Sequence, residues 1–229
     1  MPKKFRRGPA MAAPEPDEDF ERAIEPLLAS DGPVMVTGSA GCGKTTVALR
    51  KASLAINDGL GNRHARVLFL SFANATVDRV AEHATSQLAK EQRSRLEVGT
   101  YHSFAWTILR SHGYLLGAPR SIQIMSQAEQ NAFSSRLQDP DVDLRAEFRR
   151  QFETLGHVGF NDFAGLANEV LMGSASLLKA YTSAYPLLVL DEFQDTADDQ
   201  WALVRTLGQY SQLIALGDPD QRIYDFVDG

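Results

Sequence analysis

The sequence is poor in cysteine, in long apolar runs and in positive charge. A single cysteine among 229 residues has nothing to pair with inside the chain, and such usage suits a reducing compartment. No apolar run approaches the roughly 18 residues that a membrane-crossing helix needs, so no membrane span is expected. The opening Met1-Pro2-Lys3-Lys4-Phe5-Arg6-Arg7 is basic but has no apolar segment behind it, unlike a secretory signal. Together these features predict a cytoplasmic protein. Lysine and arginine number 23 against 29 aspartates and glutamates, for a net charge of −6 and a pI of about 5.4. That balance gives the chain no general attraction for a polyanion, so any contact with nucleic acid has to rest on local groups.

Hydrophobic residues make up 44% of the chain, enough for one sizeable core and a smaller appendage. Within it, Gly38-Ser39-Ala40-Gly41-Cys42-Gly43-Lys44-Thr45 fits the phosphate-loop pattern G-x-x-x-x-G-K-[ST]. The context is right for it. Pro33-Val34-Met35-Val36-Thr37 suits a buried strand, and Thr46 to Ala52 is helix-forming material. Glycines let the backbone curl so that successive N–H groups point inward at oxyanions. The helix start adds unpaired N–H groups and a partial positive charge. Residues 38–46, with Thr46 opening the helix, are therefore the candidate nucleotide-binding segment. In it Lys44 would reach the terminal phosphates and the Thr45 hydroxyl would hold Mg²⁺. The lone Cys42 lies inside this loop and reads as a small tolerated residue.

Around the loop the chain alternates. Residues 1–18 run from a basic cluster to a Pro- and acid-rich stretch with little to bury, which predicts a disordered tail. Phe20–Ala29 reads as a short helix. Arg66–Phe72 reads as a second strand, and Asn74 as the cap of a helix whose core face is Val77, Val80, Ala81, Ala84 and Leu88. Leu96–Thr100 reads as a third strand, with a helix through Phe104–Leu109. Such alternation predicts an α/β fold, a parallel sheet flanked by helices. The rhythm breaks over 113–186, where a Ser126-x-x-Glu129 capping box and helical patterns at 126–138, 142–155, 161–172 and 174–183 predict an all-helical insertion. The sheet resumes at Leu187–Asp191 and Leu213–Asp218. The expected division is thus a sheet domain of residues 19–112 and 187–229, interrupted by the insertion 113–186.

Asp191 and Glu192 end an apolar strand, the place where open α/β sheets bind ligands. Downstream of a phosphate loop, Asp191 suits a Mg²⁺ ligand and Glu192 a general base for the attacking water. The longer segment Leu190-Asp191-Glu192-Phe193-Gln194-Asp195-Thr196 resembles the Walker B segment of superfamily 1 DNA helicases of the UvrD/Rep/PcrA type. Further segments resemble the same family in the same order: Phe69 to Ala75, Gly99-Thr100-Tyr101-His102-Ser103-Phe104, and Gly217-Asp218-Pro219-Asp220-Gln221-Arg222-Ile223-Tyr224-Asp225-Phe226.

That resemblance implies a RecA-like P-loop NTPase domain, the family's domain 1A, with the helical insertion as a shortened 1B. It implies ATP and Mg²⁺ as cofactors, and single-stranded or partly duplex DNA as partner, with movement 3′ to 5′. Lys44, Glu192 and Gln221 would be catalytic, Gln221 sensing the γ-phosphate. Phe72, Asn74, His102, Tyr224 and Phe226 match DNA-side positions, where base stacking tolerates any sequence. Read alone, these aromatics could equally be core, His102 a structural histidine and Asn74 a helix cap. Two departures stand out. The family carries an upstream glutamine that reads the adenine edge, whereas this chain has none before Gln87 and places Phe20 and Glu21 near that position. The family's second, C-terminal RecA-like domain, with its arginines, has no counterpart in these 229 residues. An arginine of that kind contributes on the order of 10³–10⁵ in rate, so this polypeptide alone is expected to bind nucleotide and not to unwind. The alternative is a non-motor nucleotide-binding module acting through a protein partner.

Overall fold

Strand pairing organises the molecule. The computed structural model describes residues 18–137 and 142–218. Helix α1 (Glu18–Ala29) leads to β1 (Val34–Thr37) and α2 (Lys44–Asn57). Then come β2 (Val67–Ser71), α3 (Asn74–Gln87), the single turn α4 (Lys90–Arg93), β3 (Leu96–Thr100) and α5 (Tyr101–His112). The middle segment holds β4 (Gln123–Met125), α6 (Gln127–Arg136), α7 (Leu144–Leu155), β5 (His157–Gly159), α8 (Phe163–Met172) and α9 (Ala175–Ala184). Last come β6 (Leu187–Leu190), α10 (Asp198–Leu207) and β7 (Gln212–Gly217).

Five strands form one parallel sheet in the order β1-β7-β6-β2-β3. Period-two alternation sends successive side chains to opposite faces, and both faces of the central strands are covered, while β1, read from the sequence as buried, is an edge strand that leaves Met35 exposed. Leu68, Leu70, Leu188 and Leu190 pack under α5, α8 and α10. Val67, Phe69, Leu187, Val189, Ile214 and Leu216 pack under α2 and α3. Parallel strands buried on both sides read as continuous apolar runs, which is why β2 and β6 were visible in the sequence. The expected α/β class, a parallel sheet flanked by helices, is what the chain forms.

Three local expectations need correction. The insertion is not purely helical: β4 and β5 pair in parallel, Gln123 to His157 through Met125 to Gly159. Strands of three residues leave too short a period to read. Its helices otherwise fall near the expected spans, and Ser126 and Glu129 form the capping box, with the Ser126 amide donating to Glu129 Oε2 at 2.7 Å. Asn74 is not a cap; it is the first residue of α3, after Ala73 at the N-cap with no side-chain cap bond. On the same helix Val80 and Ala84 are buried but Ala81 is exposed, a drift expected where 3.6 residues per turn meet a narrow contact. In the middle segment, Phe163, Ala164, Ala167, Val170 and Leu171 of α8 join the cluster beneath the sheet. Among the described residues no helix is long and apolar enough to cross a membrane.

Candidate functional site

The parallel order sets the carboxyl ends of β1, β7 and β6 side by side, so the segments after β1 and β6 leave the same end of the sheet. After β1, Gly41 has φ 80° and Gly43 φ 93°, the left-handed region that side chains disfavour. A Cβ on Gly41 would meet nothing within 4 Å, so the curl opens outward as a cradle must. Gly38 is required for the opposite reason: a Cβ there would stand 2.5 Å from Cys42 Sγ. Gly43 is the N-cap of α2, which places Lys44, Thr45 and Thr46 in its first turn. Lys44 Nζ folds back over the loop and donates to Gly38 O at 2.6 Å and Ser39 O at 3.0 Å. Ser39, Ala40 and Cys42 are exposed along the rim.

After β6, Asp191 is 4% exposed. Its amide donates to Leu70 O at 2.8 Å, and its Oδ1 accepts from the Glu192 amide at 3.2 Å. Burial, and then the adjacent Glu192 charge, push its carboxyl up to about 6; Lys44 and Arg79 pull the other way. Lys44 is thus close enough to Asp191 for its charge to act on the carboxyl. Glu192 has φ 51°, shared among non-glycine residues only with Leu60 within the described chain. Such a conformation costs on the order of 1–2 kcal/mol and puts a sharp backbone turn directly after Asp191. Gln194 Nε2 then donates to Glu192 Oε2 at 2.7 Å, while Gln194 Oε1 accepts the Asp218 amide at 3.1 Å. Beneath, Thr196 donates to the buried Tyr101 hydroxyl at 3.5 Å.

The donor set suits a hard cation beside a phosphate chain. Asp191 and the Thr45 hydroxyl supply oxygen ligands of the kind Mg²⁺ takes, with waters and phosphates completing the shell. Ser71 Oγ and Asp195 Oδ1 are buried and make no hydrogen bond to the protein, although Ser71 directly follows Leu70, whose carbonyl holds Asp191. A buried hydroxyl such as that of Ser71, next in the chain to the residue that holds the Asp191 amide, suits a hydrated ion.

A second surface lies after β2 and β3. Phe72 is 41% exposed and Asn74 is exposed beside it. His102, in the first turn of α5, stacks on Phe160 with ring centroids 4.0 Å apart and planes 12° apart. Phe163 and Trp106 continue the aromatic cluster behind them. Burial lowers the His102 pKa, which favours a neutral ring. Phe160 itself is 49% exposed. Gln221, Tyr224 and Phe226 lie outside the described residues.

The sequence reading missed two residues. Gln194 lies within the Leu190–Thr196 segment, but only its hydrogen bonds to Glu192 and Asp218 show what it holds. Phe160 follows a glycine and sits on no periodic face, so nothing in the sequence separated it from core aromatics.

The AAA domain family matches residues 21–227, nearly the whole chain. This chain belongs to that family. Over 245 aligned residues the AAA-domain chain is 24% identical to "ATP-dependent DNA helicase PcrA" of Leuconostoc citreum, covering 89% of this chain and 33% of that protein. It is 25% identical to "DNA helicase II" of Salmonella typhimurium and 24% identical to "DNA helicase II" of Escherichia coli, covering 89% of this chain and 34% of each relative. The AAA-domain chain therefore spans about a third of the length of these curated relatives. The UvrD/Rep/PcrA-type resemblance carried by its motifs is borne out by them.

Proposed function

We propose that this chain is the ATP-binding and ATP-hydrolysing part of a DNA helicase or translocase that moves 3′ to 5′ on single-stranded DNA. The observation that carries the reading is that the loop after β1, with Lys44, and the acidic pair after β6 lie at the same end of one parallel sheet, the Lys44 charge acting on the Asp191 carboxyl. Residues 38–46 bind the triphosphate through backbone N–H groups, and Lys44 leaves its loop carbonyls to neutralise the β- and γ-phosphates. Thr45 and Asp191 would hold Mg²⁺, which when bound supplies charge neutralisation on the phosphate oxygens. Glu192, held by Gln194, takes the proton of the attacking water. Gln221 would report the state of the γ-phosphate. Phe72, His102 with Phe160, Asn74, Tyr224 and Phe226 form the DNA side, where stacking rather than base-edge reading tolerates any sequence. A second RecA-like domain would supply the arginine that completes the transition state.

Isothermal titration with Mg-ATP tests the first half of this reading. Tight binding is expected, and Lys44→Ala should abolish it; micromolar affinity retained by that variant would count against the site. DNA-stimulated ATP hydrolysis and directional strand displacement test the second half. Intact Mg-ATP binding with no response to single-stranded DNA would favour a non-motor module working through a protein partner.

A further inference from the structure

Helix α1 is pinned to the phosphate-loop helix at both ends. Lys51, 7% exposed on α2, donates to Leu28 O at 2.8 Å and Ser30 O at 2.6 Å. At the other end Arg50 Nη1 donates to Glu21 Oε1 at 2.5 Å. Ile24 is buried between these ties. The position of Phe20 is fixed by them. Its Cε2 and Cζ lie 3.5 Å from where a Cβ on Gly43 would stand, and the Arg50 guanidinium carbon is 5.9 Å from its ring centroid. The ring is nonetheless only partly buried.

Gly43 is the last loop residue before α2. In a loop of this pattern the backbone N–H groups face the α- and β-phosphates, while the lysine reaches toward the terminal ones. Here the terminal end is marked by Lys44, Asp191 and Glu192, on the β6 side. Helix α1 packs on α2 and brings Phe20 to the loop from its own side. A nucleoside leaving the α-phosphate end would therefore pass the exposed part of the Phe20 ring.

We propose, on the reading of residues 38–46 as a triphosphate site, that Phe20 is the platform for the nucleobase and that the site accepts nucleoside triphosphates with little regard to base. Strong discrimination between similar ligands, on the order of 10⁴–10⁵, needs polar groups that the wrong ligand leaves unpaired. Phe20 has none. Every base has a π-face, so an aromatic platform binds all four and favours purines only mildly. Glu21, the neighbouring polar side chain, is tied to Arg50 rather than aimed at the loop.

Competition against a fluorescent nucleotide reads the affinities of Mg-ATP, Mg-GTP, Mg-CTP, Mg-UTP and magnesium tripolyphosphate for the purified protein. The four nucleotides are expected within about tenfold of one another, each tighter than tripolyphosphate by the stacking increment, roughly 5- to 150-fold. Phe20→Ala should weaken all four toward tripolyphosphate and leave tripolyphosphate itself unchanged, while Phe20→Trp should keep them. A preference beyond about tenfold for one base would overturn the proposal. So would a Phe20→Ala variant that leaves nucleotides untouched, or that weakens tripolyphosphate equally because the ring merely props the loop. A parent protein that binds neither nucleotide nor tripolyphosphate would overturn the phosphate site itself, and the proposal with it.

Discussion

Gln194 holds Glu192 by a 2.7 Å hydrogen bond from its Nε2 to the carboxylate Oε2. The other end of the same amide accepts the Asp218 amide at 3.1 Å, so one side chain bridges the ends of β6 and β7. In its proposed role of general base, Glu192 works only from a fixed position. Gln194→Ala is expected to slow ATP turnover by about 10- to 100-fold while leaving Mg-ATP affinity within about twofold. Single-turnover kinetics beside equilibrium titration separate the two effects. An equal loss in both would mean that Gln194 supports the loop as a whole.

Asp191 gives the nucleotide-free protein a pH-dependent weakness. Its folded pKa of about 6 lies above the ordinary 3.8. Below about pH 4 the carboxyl is protonated in folded and unfolded chains alike, and no stability is lost. Between pH 4 and 6 the unfolded chain ionises first, so stability falls as pH rises, by about 3 kcal/mol once both states are charged. Asp191→Asn removes that loss. It is expected to melt higher than the parent at pH 7.5 and alike at pH 4, measured by calorimetry without nucleotide. Equal melting at both values would show that the carboxyl is not held up by burial.

Cys42 is exposed on the rim of the loop, and its Sγ lies over Gly38, 2.5 Å from where a Cβ on that glycine would stand. A group added to this thiol, inside the proposed phosphate loop, is expected to crowd the bound phosphates. Alkylation with iodoacetamide is expected to abolish nucleotide binding, and Mg-ATP to slow the modification. Modified protein with unchanged affinity would place the thiol outside the phosphate path.

Phe160 is the exposed outer ring of the stack on His102. Removing it leaves the buried part of the cluster in place. Phe160→Ala is expected to weaken single-stranded DNA binding by roughly 5- to 150-fold, the range of one stacking contact, with Mg-ATP affinity unchanged. Fluorescence anisotropy with a labelled oligonucleotide of mixed sequence measures it. Unaltered DNA affinity would assign the ring to packing alone.

Gly156 ends α7 with φ 72°, and its carbonyl accepts the Gln123 amide at 2.8 Å, starting the β4–β5 ladder. A Cβ there would lie 2.6 Å from Ser121 O, a backbone atom that cannot swing aside. Gly156→Ala is expected to cost about 2–4 kcal/mol from the left-handed backbone and the overlap together. Thermal unfolding should shift downward accordingly. A neutral result would mean that the β4–β5 ladder yields easily.

The sequence by itself determined the sheet, the phosphate loop and the acidic pair. Each rests on a local pattern: continuous apolar runs such as Leu187–Leu190, glycines at fixed spacing before Lys44, and charges ending a buried strand. Tertiary structure decided what those patterns meet. Strand order brought β6 and β7 together so that Gln194 could span them, and Glu192, in a left-handed turn, accepts from Gln194 two residues on. The stack of Phe160 on His102 joins residues 58 positions apart, and the seat of Phe20 on Gly43 needs α1 to be tied down by Lys51 and Arg50. Such contacts depend on side chains distant in sequence reaching one point, and no periodicity within a single segment encodes that.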